Sequence, residues 1–127
     1  MKSIHYLLFA LLTIACGNIH MAYANSSHSL KVTASAYNSV RSQTQGNPAI
    51  GAWGDRLKPG MKVIAVSRDL LRMGLKHNTR VKIDGLPGIY LVKDKMNKRW
   101  RRKIDIYMGR DVKSARRWGK RKVTIRW

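Results

Sequence analysis

Two aspartates, Asp94 and Asp105, stand eleven residues apart, each in or beside a strand-like apolar run, in a chain that otherwise has almost no acids. The 127 residues hold six acidic side chains, all Asp, against 26 Lys plus Arg. A carboxylic acid can give a proton to a leaving oxygen and, once ionised, take one from an incoming hydroxyl, and this pair could supply that chemistry. Lys103 opposes it: two residues before Asp105, it shares the same face on a strand, and its charge favours the carboxylate over the acid. Burial, or a close approach of Asp94 to Asp105, would push one proton affinity back up. A plainer reading stays open, in which both carboxylates are buried acceptors for backbone amides or partners of Arg and Lys.

The other chemistry-bearing residues are fewer. Trp100, set among Lys98, Arg99, Arg101 and Arg102, could stack on a sugar ring or sit at a membrane interface while Arg99 and Arg101 hold a carboxylate or phosphate. It could equally be a Trp tucked under an exposed basic hairpin. Tyr37 either lines a groove or fills the core, and Trp118 and Trp127 are expected to be packing residues. His77 is the one histidine after His28, and a lone loop histidine is assigned no role. Nothing resembles a Ser-His-Asp set, a glycine-rich phosphate loop or a histidine cluster, and no metal or organic cofactor is implied.

Six short runs rich in Val, Ile or Tyr must position these groups: Leu30 to Tyr37, Lys62 to Ser67, Thr79 to Ile83, Ile89 to Lys93, Lys103 to Met108 and Lys122 to Trp127. Asn38 to Gly60 reads as loop, with Trp53 and Leu57 pinning it to the core. Asp69 to Met73 reads as one helical turn. Asp111 to Trp118 reads as a short helix, with Asp111 at its N-terminus, arginines near its C-terminus and Gly119 at its exit. Six short strands with one or two brief helices predict an all-β fold, a small closed barrel without exposed sheet edges.

The N-terminus reads as a leader. Lys2, the apolar run from Ile4 to Ile14 and Ala22-Tyr23-Ala24 predict a signal peptide over residues 1–24, followed by a lead-in over 25–30 and one domain over 31–127. The apolar run is shorter than the roughly 20 residues a bilayer span needs. Leu12-Thr13-Ile14-Ala15-Cys16 also resembles a loose lipoprotein box, so two destinations stay open: a periplasmic, wall or extracellular protein, or an outer-membrane lipoprotein acylated at Cys16. Cys16 is the sole cysteine, so ordinary cleavage leaves a domain with no disulfide, thiolate nucleophile or cysteine zinc site.

A formal charge of +20, of which the leader carries only Lys2, points to an anionic partner. For an exported chain this means wall carboxylates, anionic envelope polymers or a membrane surface; nucleic acid, the default cytoplasmic polyanion, is not expected. A solvated basic face that only keeps the protein soluble is the alternative.

Val32-Thr33-Ala34-Ser35-Ala36-Tyr37, Ile64-Ala65-Val66-Ser67, Gly85 to Tyr90, Asp94, Ile104-Asp105-Ile106-Tyr107 and Ala115 to Val123 resemble the three-aspartate (3D) domain in order and spacing. This double-psi β-barrel is shared by membrane-bound lytic transglycosylase A and small exported wall proteins. The resemblance spans about Lys31 to Trp127. It implies a six-stranded double-psi barrel that acts on or binds peptidoglycan glycan strands, with Asp105 as catalytic acid and Asp94 as its neighbour. It also implies lytic cleavage, in which one carboxyl protonates the glycosidic oxygen and then takes the proton of the muramoyl 6-hydroxyl as a 1,6-anhydro ring closes. No second nucleophilic carboxylate is needed, unlike ordinary hydrolysis. The chain departs from the pattern in three places. Ser67 stands where the family has its first aspartate, Asp94-Lys95-Met96-Asn97 stands where it has Asp-Thr-Gly-Gly, and only Ala52-Trp53-Gly54 stands for its upstream Thr-x-Thr-Gly or Thr-Ala-x-Gly element. A non-catalytic cationic module that binds peptidoglycan or another anionic surface is therefore the alternative.

Overall fold

The computed structural model describes residues 28–40 and 49–127. The expected leader, Cys16 and the first half of the lead-in lie outside them. Six strands form a closed barrel: β1 Ser29–Tyr37, β2 Val63–Val66, β3 Arg80–Ile83, β4 Tyr90–Lys95, β5 Lys103–Tyr107 and β6 Arg121–Arg126. Around the barrel the order is β1-β5-β2-β4-β3-β6. Two pairs, β1 with β5 and β2 with β4, run parallel, and the antiparallel β2–β5 ladder joins them in the small double-psi arrangement.

Alternation explains why these segments close. In β1, Val32 and Ala34 point inward while Lys31, Thr33 and Ser35 do not; in β5, Ile104 and Ile106 point inward on either side of Asp105. Ile64, Val66, Val81, Ile83, Val92 and Ile125 complete an apolar interior of branched side chains, each fully buried. Every such side chain taken from water contributes about 1.5–3 kcal/mol, and closure leaves no strand edge unpaired.

Several boundaries differ from the sequence expectation. β1 starts at Ser29, which pairs with Arg126, so the barrel begins ahead of Lys31. β4 starts at Tyr90, leaving Ile89 at 39% exposure outside it, and runs on to Lys95, which places Asp94 inside a strand. Ser67 leaves β2 to become the N-cap of α1, Arg68–Arg72. The second helix, α2 Val112–Trp118, is as expected: the Asp111 side chain accepts the Ser114 amide at 2.9 Å, and Gly119 closes it at φ 65°. Trp118 and Trp127 both pack against the core from its rim. Leu57 is buried at 3%, but Trp53 is not pinned to the core: it is 36% exposed.

Candidate functional site

The barrel places four side-chain positions from four strands in one lateral row. Ser35 on β1 pairs with Asp105 on β5, Asp105 pairs with Ala65 on β2, and Ala65 pairs on its other side with Asp94 on β4. The last pairing needs a register shift between Ile64 and Ala65. Ile64 pairs with Val92 but Ala65 pairs with Asp94, so Lys93 is the extra residue of a β-bulge. Without that bulge, Lys93 and not Asp94 would stand opposite Ala65.

The two carboxyls are held differently. Asp94 Oδ1 accepts the amides of Ala52 and Lys95, both at 2.9 Å. Asp105 Oδ1 accepts the Ser35 hydroxyl at 3.2 Å, and among the described residues no backbone amide bonds this carboxyl. Burial pushes the Asp105 carboxyl above its ordinary value and the nearby Asp94 charge adds to this, opposed by the Ser35 hydrogen bond and Lys103. Burial also pushes Asp94 up, against its two amides and Lys95. Desolvation therefore outweighs the surrounding cations at both positions, and each carboxyl holds its proton more tightly than a free aspartate does.

Both acids open onto a cleft of ≈ 200 Å³ lined by Tyr37, Ala65, Lys95, Met96, Asn97 and Trp100. Ala65, lying between the carboxyls, keeps the floor low. The Tyr37 hydroxyl is buried with no hydrogen-bond partner among the described residues, and its ring packs on Tyr107 at 5.4 Å and 54°. Burial and then the charges of Asp94, Asp105 and Tyr107 make that phenol very hard to ionise, so it is a neutral hydroxyl beside the two acids. Trp100 forms part of the wall, with the Lys103 ammonium 3.7 Å and the Arg99 guanidinium 4.9 Å from its ring centroid. Arg99 and Arg101 are exposed and do not line the cleft; Arg101 Nη1 folds back onto the Lys98 carbonyl at 3.2 Å.

Ser67 is fully buried and belongs to the scaffold. Its Oγ accepts the Lys103 amide at 3.0 Å, its own amide donates to the Lys103 carbonyl at 2.9 Å, and Asp69 Oδ2 accepts the Arg102 amide at 2.9 Å. The turn after β2 thus clamps the start of β5 two residues before Asp105.

Three features escaped the sequence reading. Ser35 gave no signal because a hydroxyl on a half-buried strand is unremarkable until its cross-strand partner is known. Ala65 is informative only through what flanks it. His77, assigned no role, stacks on Trp53 at 4.7 Å and 22° and pairs with Asp55, whose other oxygen accepts the Lys93 ammonium at 3.2 Å. Among the described residues no group of three or more His, Cys, Asp or Glu could hold a metal ion, and no helix is long and apolar enough to cross a membrane.

The fold and this row of residues define a small double-psi β-barrel with a partly desolvated carboxyl pair at the floor of a cleft. Comparison with solved structures finds the same fold in the expansin of Clavibacter michiganensis. Both its apo form and an aspartate-to-asparagine variant in complex with cellohexaose match with a TM-score of 0.52 at 17% identity, over 77% of this chain and 49% of theirs. The chain therefore spans about half the length of those proteins. No protein-family model and no curated protein sequence matches.

Proposed function

We propose that this is an exported three-aspartate-type barrel that binds peptidoglycan glycan strands in the Asp94–Asp105 cleft and cleaves them as a lytic transglycosylase. The observation that carries the reading is the Ser35–Asp105–Ala65–Asp94 row, which sets two carboxyls of raised proton affinity at the floor of an open cleft. Asp105 is the acid. Among the described residues no backbone amide favours its ionisation as two favour that of Asp94, so its proton is available to the glycosidic oxygen. As the bond from the muramoyl C1 breaks, the 6-hydroxyl of the same sugar attacks C1 and gives its proton to the Asp105 carboxylate. The products are a 1,6-anhydro end and regenerated acid. Asp94 raises the proton affinity of Asp105, and the neutral Tyr37 hydroxyl lies where it can donate to the sugar. Trp100 offers a stacking wall, with Lys103 and Arg99 against its ring and Arg101 one residue along; these cations suit stem-peptide carboxylates.

The experiment is mass spectrometry of soluble products after incubating purified sacculi with the protein and with Asp105→Asn. Anhydromuropeptides from the first and none from the second support the reading. Reducing-end products would mean ordinary hydrolysis, and no release would sink catalysis.

A second reading, a glycan-binding barrel without catalysis, has its own support: Asp94 is a double acceptor for backbone amides, as a purely structural carboxylate would be. The double-psi neighbour solved with cellohexaose also makes a neutral glycan a reasonable occupant of such a barrel. Salt-sensitive pelleting with sacculi that survives Asp105→Asn, with no soluble product released by the wild type, would favour this alternative.

A further inference from the structure

The loop over residues 49–57 is built to hold one exposed tryptophan beside the acidic cleft. Gly51 lies so close to β4 that a Cβ there would sit 2.2 Å from the Lys93 carbonyl oxygen, a contact only glycine avoids. The next residue, Ala52, donates its amide to Asp94, and Ile50 bridges to Arg56 to close the loop. Trp53 then projects with 36% of its surface exposed, although water disfavours a large ring left uncovered. It is also braced. His77 stacks on the ring, Asp55 holds His77, and Lys93, the bulge residue next to Asp94, holds Asp55. The Lys95 ammonium, which belongs to a residue lining the cleft, lies 5.3 Å from the Trp53 ring centroid.

An aromatic ring fixed in this way offers a flat face to the C–H face of a pyranose at little entropic cost. The geometry points to Trp53 as a sugar-stacking subsite outside the Asp94–Asp105 cleft, so that a glycan strand runs from the cleft past Lys95 and onto Trp53. The inference rests on the glycan reading above and adds a length requirement: a strand must be several sugars long to reach both the acids and Trp53. His77 and Asp55 are positioning residues for the ring and do not touch the sugar.

The test uses amidase-stripped glycan strands and a disaccharide fragment as probes. Both are titrated in the Asp105→Asn background, which prevents cleavage, at about 0.5 M salt to screen the protein's cationic surface. Trp53→Ala is expected to weaken binding of long strands about tenfold and to leave disaccharide binding unchanged, whereas Trp53→Tyr, which keeps a flat ring, stays within about threefold of the parent. Unfolding curves of the variants check that the barrel is intact. Long-strand affinity unchanged by Trp53→Ala overturns the subsite and leaves the cleft reading standing. No strand binding by the parent overturns both.

Discussion

Asp94 and Asp105 stand on opposite sides of Ala65, one across the parallel β2–β4 ladder and the other across the antiparallel β2–β5 ladder. At the usual spacing of neighbouring strands this separates their backbones by roughly 10 Å, with the smallest chiral side chain between them. The arrangement lets two acids share one low-dielectric floor without either being sealed from the cleft.

Asp105→Asn should abolish anhydromuropeptide release while leaving a folded barrel. It should also change the pH dependence of stability in a defined direction. A carboxyl whose folded pKa is raised stabilises the fold while protonated, and that contribution is lost as pH climbs from the unfolded aspartate value through the folded one. The variant should therefore gain on the wild type as pH rises from about 4 towards neutrality, with the gap closing below the unfolded value near 3.9. Asp55, Asp84 and Asp111, whose carboxyls are held below their ordinary value, act in the opposite sense but are common to both proteins and cancel in the difference. Urea unfolding across that range measures it; a gap that widens on acidification would show that Asp105 is not desolvated.

Lys103→Met removes a cation that favours the ionised form of Asp105. The acid should then stay protonated to higher pH, moving the alkaline limb of the rate profile upward. A profile that keeps its position, or moves down, counts against Asp105 as the proton donor.

Ser67→Ala should destabilise the barrel by about 1–3 kcal/mol, since it leaves the part-buried Lys103 amide without the acceptor that the buried Ser67 hydroxyl supplies. Because that amide fixes the entry to β5, amide exchange at Lys103 and Ile104 should accelerate more than exchange at Val81 or Ile83 on the opposite wall.

Gly51→Ala should cost about 1–3 kcal/mol, because the new methyl must displace either its own loop or the Lys93 carbonyl. Displacing the loop also withdraws the Ala52 amide from Asp94, so the midpoint shift should come with weakened glycan binding. A variant as stable as the wild type would mean that the loop does not press on β4.

By itself the sequence determined the strands, the capped helix and the suspicion that falls on two acids. Alternating Val and Ile in runs such as Leu30 to Tyr37 specifies a half-buried strand wherever the chain goes, because side-chain direction repeats every two residues. Asp111, Ser114 and Gly119 specify α2 within a few residues of one another, and the scarcity of acids made Asp94 and Asp105 conspicuous. Which strands became neighbours was decided only when the barrel closed. Periodicity says which face a residue takes but not what lies across it, and a parallel pair such as β2–β4 is joined by no local turn that could announce it. The bulge at Lys93, the Ser35 hydroxyl on Asp105, the clamp of the buried Ser67 on Lys103 and the bracing of Trp53 by His77 all join residues at least 22 positions apart. Such contacts leave no trace in spacing. The balance between burial and positive charge at Asp105 belongs with them, since desolvation depends on how deeply the closed barrel seats the carboxyl and the count of nearby lysines does not reveal it.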